Sequence, residues 1–169
     1  MLSIDDILNR PNLREQLDPG NMLLSAERFL DQCRDAEEMA RNFTLPTLKK
    51  IEHVVFCGMG GSAIGGDLVR AYASSFSPVP IEVVRNYSLP AYVGKKSLVI
   101  AGSYSGNTEE TLSCYEEAKK RGAQIFAITT GGTLEKLCLA DGNPCFRIPS
   151  GLAPRAALGY TFIPLVLFF

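Results

Sequence analysis

The chain has 169 residues, the size of one domain by the usual figure of about 100–200 residues each. Hydrophobic residues make up 46% and charged residues 21%, an ordinary globular composition that excludes disorder and fibrous structure. Seventeen basic residues face eighteen acidic ones, net −1, so no basic excess exists to hold a polyanion, and a single histidine excludes a histidine-rich metal site.

Residues 3–17 read as a short helix broken around Pro11, and Asp18-Pro19-Gly20 as a turn. Residues 21–43 read as one helix. Met22, Ala26, Phe29, Cys33, Ala36, Ala40 and Phe43 recur in steps of four and three, so they share one face that should dock on a core. Beyond it, short apolar runs alternate with helical segments. The expected strands are His53–Cys57, Ile81–Arg85, Ser97–Ala101, Gln124–Thr129 and Pro144–Ile148. The expected helices are Ser62–Ser75, Thr108–Arg121, Leu134–Ala140 and Arg155–Phe169. This alternation predicts an α/β fold: a three-layer, doubly wound, flavodoxin-like parallel sheet of five strands with helices on both faces, preceded by N-terminal helices. Residues 1–45 are expected to form the helical segment and 46–169 the sheet domain.

The five cysteines, Cys33, Cys57, Cys114, Cys138 and Cys145, include no CxxC pair. Most lie in apolar patterns, as small buried residues of a reducing cytoplasm do. The N-terminus shows no basic-then-apolar signal pattern, and no apolar stretch approaches the roughly 18–20 residues of a membrane span.

In such sheets ligands sit at the carboxyl ends of the strands, near the switch in strand order. After the first strand comes Gly58-Met-Gly-Gly-Ser-Ala-Ile-Gly-Gly-Asp67. Its glycines let the backbone turn sharply and let a ligand approach, and the helix that follows points free N–H groups at an anion. A tight strand–helix turn would also need glycine for packing. Gly58-x-Gly60-x-x-Ala63 fits the dinucleotide fingerprint as well. Its usual acid at the end of the second strand is replaced by Arg85-Asn86, with Glu82 inside the strand. Arg85 could take a 2′-phosphate, so an NADP-binding oxidoreductase domain is the rival reading.

After the third strand comes Gly102-Ser-Tyr-Ser-Gly-Asn-Thr-Glu-Glu110. Ser103, Ser105 and Thr108 bracket a glycine at a helix start, and each hydroxyl can donate to a phosphate oxygen. Helix capping by Asn107 or Thr108 would explain those two residues but not Ser103 and Ser105.

The pattern Ser103-x-Ser105-Gly106-x-Thr108-x-Glu110 resembles the phosphosugar-binding signature of the SIS (sugar isomerase) domain family. The first loop and Pro154-Arg155-Ala-Ala-Leu-Gly-Tyr160 narrow the resemblance to the bifunctional phosphoglucose/phosphomannose isomerases. It runs from about residue 20 to the C-terminus. It implies an aldose–ketose isomerase that interconverts glucose 6-phosphate or mannose 6-phosphate with fructose 6-phosphate, without metal or redox cofactor. Gly61, Ser62, Ser103, Ser105 and Thr108 would hold the 6-phosphate, and Arg155 would stabilise the enediolate.

Family enzymes carry two such domains, and this chain matches the first. The general base, a ring-opening histidine and a lysine are implied to lie in the other. His53, at the start of the first strand, reads as structural, and none of Glu109, Glu110, Glu116 and Glu117 reads as the base. A non-catalytic sugar-phosphate sensor is the second alternative.

The expected partner is a small sugar phosphate, with neither nucleic acid nor membrane. Leu158–Phe169 carries apolar residues nearly all round. Left bare, such a helix would seek another copy, which predicts a two-fold homodimer through apolar helices including this one.

Overall fold

The computed structural model describes residues 3–168. The five apolar runs become one parallel sheet of β1 (His53–Gly58), β2 (Ile81–Val84), β3 (Ser97–Ser103), β4 (Gln124–Thr129) and β5 (Cys145–Arg147). The strand order is β2-β1-β3-β4-β5, the flavodoxin-like order, and every neighbouring pair is parallel. The order reverses between β1 and β3, so the loops leaving those two strands flank the switch point.

Side chains alternate across the sheet. Val54, Phe56, Leu98, Ile100, Phe126, Ile128 and Phe146 face one layer, where they meet Ala36, Ala40, Val69, Tyr160 and Leu165. Val55, Cys57, Val99, Ala101, Ile125 and Ala127 face the other, against Cys114, Tyr115, Ala118, Leu134 and Cys138. The first layer is built by α4 (Phe29–Arg41), α5 (Gly60–Ala73) and α8 (Leu158–Phe168). The second is built by α6 (Glu109–Arg121) and α7 (Gly132–Asp141). All five cysteines are free thiols, three of them buried as small apolar residues. Among the described residues no helix is long and apolar enough to cross a membrane.

Several boundaries differ from expectation for identifiable reasons. Near the N-terminus, α1 (Ile4–Leu8) and α2 (Pro11–Leu17) are separate helices, with Pro11 opening the second, where its missing N–H costs nothing. The single helix expected over 21–43 is two, α3 (Met22–Glu27) and α4, interrupted at Arg28. Only the second half of the predicted stripe is used: Ala36 and Ala40 are buried, whereas Ala26 and Phe29 are exposed.

β3 runs two residues further than expected, because Gly102 and Ser103 still pair with Ile128 and Thr129. β2 stops at Val84, and Arg85 leaves the sheet to pair with Asp67. The helix expected from Arg155 divides into a 3₁₀ turn, Pro154–Ala156, and α8, and Phe169 lies outside the described residues. The expectation that α8 lies bare is corrected. It packs between α4 and α5, and Phe168 sets its ring against Phe43, Phe126 and Phe146 at 5.6–5.9 Å. Among its large apolar residues only Leu167 is well exposed.

Candidate phosphosugar site

Two helix N-termini meet at the switch point. The sharp turn after β1 places Met59 as N-cap, and α5 starts at Gly60, two residues earlier than expected. Gly61 and Ser62 therefore lie in its first turn, where the Ser62 amide donates to the Met59 carbonyl at 3.0 Å and the Gly61 amide has no helical acceptor. After β3, Thr108 occupies the N-cap position of α6 but makes no capping bond. Its hydroxyl instead lies 2.8 Å from the Ser103 hydroxyl. The expected capping by Thr108 is thus replaced by a hydroxyl pair, and the first-turn amides of α6 are left without a side-chain acceptor. Asn107 does cap, but on another helix: its Oδ1 accepts from the Thr133 amide and hydroxyl of α7, at 3.0 and 2.9 Å.

The loop between Ser103 and Thr108 is held in shape from several sides. The Gly106 amide donates to Ser103 Oγ at 3.1 Å and the Asn107 amide to Ser105 Oγ at 3.2 Å. Thr130 donates to the Tyr104 carbonyl through both its amide and its hydroxyl, at 3.0 and 2.7 Å. The Leu134 amide reaches the Gly106 carbonyl at 2.9 Å. Gly106 has φ +70°, and a Cβ there would lie 1.8 Å from the Gly131 carbonyl oxygen. The loop thus lies directly on the start of α7. Ser103 is buried, Thr108 half-buried and Ser105 exposed, a gradient from the sheet out to solvent.

The first loop is tied to the second by the Tyr104 amide, which donates to Ser62 Oγ at 3.1 Å. Gly61 is in turn pressed against the 3₁₀ turn. A Cβ at Gly61 would lie 2.8 Å from both the nitrogen and the Cα of Arg155. Gly61, Ser62, Ser103, Ser105, Thr108 and the backbone of Arg155 therefore form one neighbourhood at the carboxyl ends of β1 and β3. Arg155 is exposed, and its guanidinium has no hydrogen bond or ion pair among the described residues. No lysine or arginine lies within the Ser103–Thr108 loop, so an anion there would be held by hydroxyls, amides and two helix dipoles.

Other glycines of the first loop serve packing. A Cβ at Gly66 would lie 2.6 Å from the Phe56 ring, one at Gly102 2.4 Å, and one at Gly58 3.0 Å. Gly65 lies against Thr161 of α8, where a Cβ would come within 2.8 Å of its hydroxyl. Sequence reasoning missed Tyr104 as a brace: its hydroxyl donates to the Pro149 carbonyl at 3.3 Å and accepts from the Leu152 amide at 2.8 Å. An aromatic beside three hydroxyl residues was the only available signal.

Glu109, Glu117 and Glu82 and the histidine have structural partners, the first in the Tyr87 hydroxyl at 3.3 Å. Glu117 accepts from the Leu89 amide at 2.7 Å, and that bond, with the Arg121 side chain, holds its carboxyl below the usual range. His53 stacks on Tyr92 with ring centroids 4.7 Å apart, at the opposite end of β1 from the loops. Glu82 accepts from the Tyr92 hydroxyl at 2.5 Å and Arg85 is paired with Asp67. The two side chains a dinucleotide ribose would need are both engaged.

A model of the SIS domain family matches residues 47–140. The bifunctional phosphoglucose/phosphomannose isomerase of Caldicellulosiruptor bescii is 51% identical over 149 residues, covering 88% of this chain and 44% of that protein. The enzyme of the same name from Thermoplasma volcanium is 45% identical over 117 residues, covering 69% of this chain and 36% of that protein. The chain thus spans less than half the length of these relatives. Among solved structures, a hypothetical protein from Thermus thermophilus superposes with a TM-score of 0.63 at 24% identity, over 90% of this chain and 41% of that one, which shows a shared fold. With its family signature at the switch point of a 2-1-3-4-5 sheet, the chain belongs to the SIS domain family.

Proposed function

We propose that this chain is the phosphosugar-binding part of an aldose–ketose isomerase that interconverts glucose 6-phosphate or mannose 6-phosphate with fructose 6-phosphate. The observation that carries the reading is the Ser103–Thr108 hydroxyl pair, 2.8 Å apart, at the uncapped start of α6. Within such a pair one hydroxyl donates to the other, which leaves one hydroxyl hydrogen pre-oriented for a phosphate oxygen. The amides of the α6 first turn and of Gly61 add donors from two sides. The names of the relatives supply the substrate class.

With the phosphate so fixed, the sugar carbons would be positioned over the carboxyl ends of β1 and β3, near the 3₁₀ turn. Moving a proton between C2 and C1 builds negative charge on the adjacent oxygens. Arg155, whose guanidinium has no other partner among the described residues, is the group we assign to that charge. The residue that moves the proton is proposed to belong to the part of the relatives' length that this chain does not span.

The test is calorimetric titration of the chain with fructose 6-phosphate. Ser103→Ala combined with Thr108→Ala is expected to weaken binding by roughly 1–3 kcal/mol, the scale of hydrogen bonds lost to a charged group. Unchanged affinity in the folded double variant would place the phosphate elsewhere. Tight NADPH binding with no response to sugar phosphates would favour the dinucleotide reading instead.

A further inference from the structure

We propose that Gln32, more than 120 positions away in the sequence, is a positioning residue for Arg155, holding the main chain that carries the guanidinium. The inference rests on the reading of Arg155 given above and adds what sets it in place. Gln32 is a buried polar side chain on the face of α4 that meets α8, in line with Ala36 and Ala40. Its Nε2 donates to the Ala156 carbonyl at 2.8 Å, and its Oε1 accepts from the Gly159 amide at 2.6 Å. One amide thus grips both sides of the junction between the 3₁₀ turn and α8.

A primary amide sets a permanent donor and a permanent acceptor on one carbon whatever the pH, and Asn, the other side chain with one, is a carbon shorter. Gly159 is part of the fit, since a Cβ there would lie 2.7 Å from Gln32 Oε1. On the other side, Gly61 of α5 touches the nitrogen and Cα of Arg155. The Arg155 backbone is therefore held between α4 and α5.

The guanidinium has no polar partner of its own among the described residues, so its reach is set by where the main chain places Cα. Capping accounts for half of what Gln32 does: Gly159 lies in the first turn of α8, and its N–H needs an acceptor. The second bond, to Ala156, serves no cap. It fixes the residue directly after Arg155.

The experiment measures binding to this chain of two probes by calorimetry: inorganic phosphate, and 5-phospho-D-arabinonate, whose carboxylate imitates an enediolate. Gln32→Met, Arg155→Met and the double variant are compared. Gln32→Met is expected to weaken the arabinonate about fivefold to tenfold, the kind of loss a small misplacement causes, and to leave inorganic phosphate within about twofold. In the Arg155→Met background it should add nothing, because the two act as one unit.

Gln32→Glu separates the roles if Gln32→Met fails to fold. It keeps an acceptor for Gly159 and, once the new carboxyl is ionised, has no donor for Ala156, so the same selective loss should appear above that carboxyl's titration and vanish below it. Equal weakening of both probes, or full additivity with Arg155→Met, would overturn the proposal while leaving the reading of Arg155 standing. If Arg155→Met itself leaves arabinonate binding unchanged, the reading of Arg155 falls, and the proposal with it.

Discussion

Gly106→Ala is expected to lower the unfolding free energy by about 3 kcal/mol or more and to abolish sugar-phosphate binding. Two effects add. The residue sits at φ +70°, a conformation that costs an L side chain roughly 1–2 kcal/mol. The new Cβ would also lie 1.8 Å from the Gly131 carbonyl oxygen and 2.9 Å from Thr129 Oγ1. A backbone carbonyl cannot swing aside as a long side chain can. The loop must therefore lift off α7, breaking the Leu134–Gly106 hydrogen bond and parting Ser103 from Thr108.

Gly142→Ala is the control. Its φ is +69°, but nothing lies within 4 Å of the added carbon, so only the conformational cost of about 1 kcal/mol applies. Urea denaturation and fructose 6-phosphate titration of both variants check the prediction. Equal small losses in the two would show that the loop does not rest on α7 as described.

Phe56→Ala is expected to cost about 3–5 kcal/mol, at the large end for core truncations. The ring is 1% exposed and lies in a bed made by Gly58, Gly66 and Gly102. Neighbours with no side chain cannot lean inward to fill a void, so little of the cavity would close. Restoring volume from the other side should recover part of the loss. Gly66→Ala, whose Cβ would clash with the ring at 2.6 Å, should be harmful alone and less so in the Phe56→Ala background. Chemical denaturation of the three variants measures this. A cost below about 1 kcal/mol for Phe56→Ala would mean that these glycines exist for a ligand and not for the ring.

The pairing of Phe56 with three glycines shows how far the sequence could be read. The strands were legible because β-branched and aromatic residues of β1, β3 and β4 are buried on both faces, leaving short, continuous apolar runs. The site was legible as two loops, because small and hydroxyl residues at strand-to-helix turns have few other uses. The roles of single glycines were not legible. Gly61 and Gly66 are chemically identical, and only the fold puts one against Arg155 and the other against a ring.

Asn107 was read as a cap for the helix beside it, yet its acceptor serves Thr133, 26 positions away, because the loop lies over α7. Gln32 escaped notice for a similar reason. A glutamine among the apolar positions of an amphipathic helix reads as a lapse in the pattern until Ala156 and Gly159 are brought to it. The break at Arg28 had no proline or glycine to announce it. The apolar spacing continues through it, while burial does not.

One anion should be held between the starts of α5 and α6. Backbone amide NMR of the 18.4 kDa chain titrated with fructose 6-phosphate tests it most directly. Saturable shifts are expected at Gly60, Gly61 and Ser62, at Ser103 through Glu109, and at Arg155 and Ala156, with the same loop amides moving under inorganic phosphate. Saturable shifts confined to another surface, such as the apolar hollow lined by Leu45, Val79 and Phe168, would contradict it.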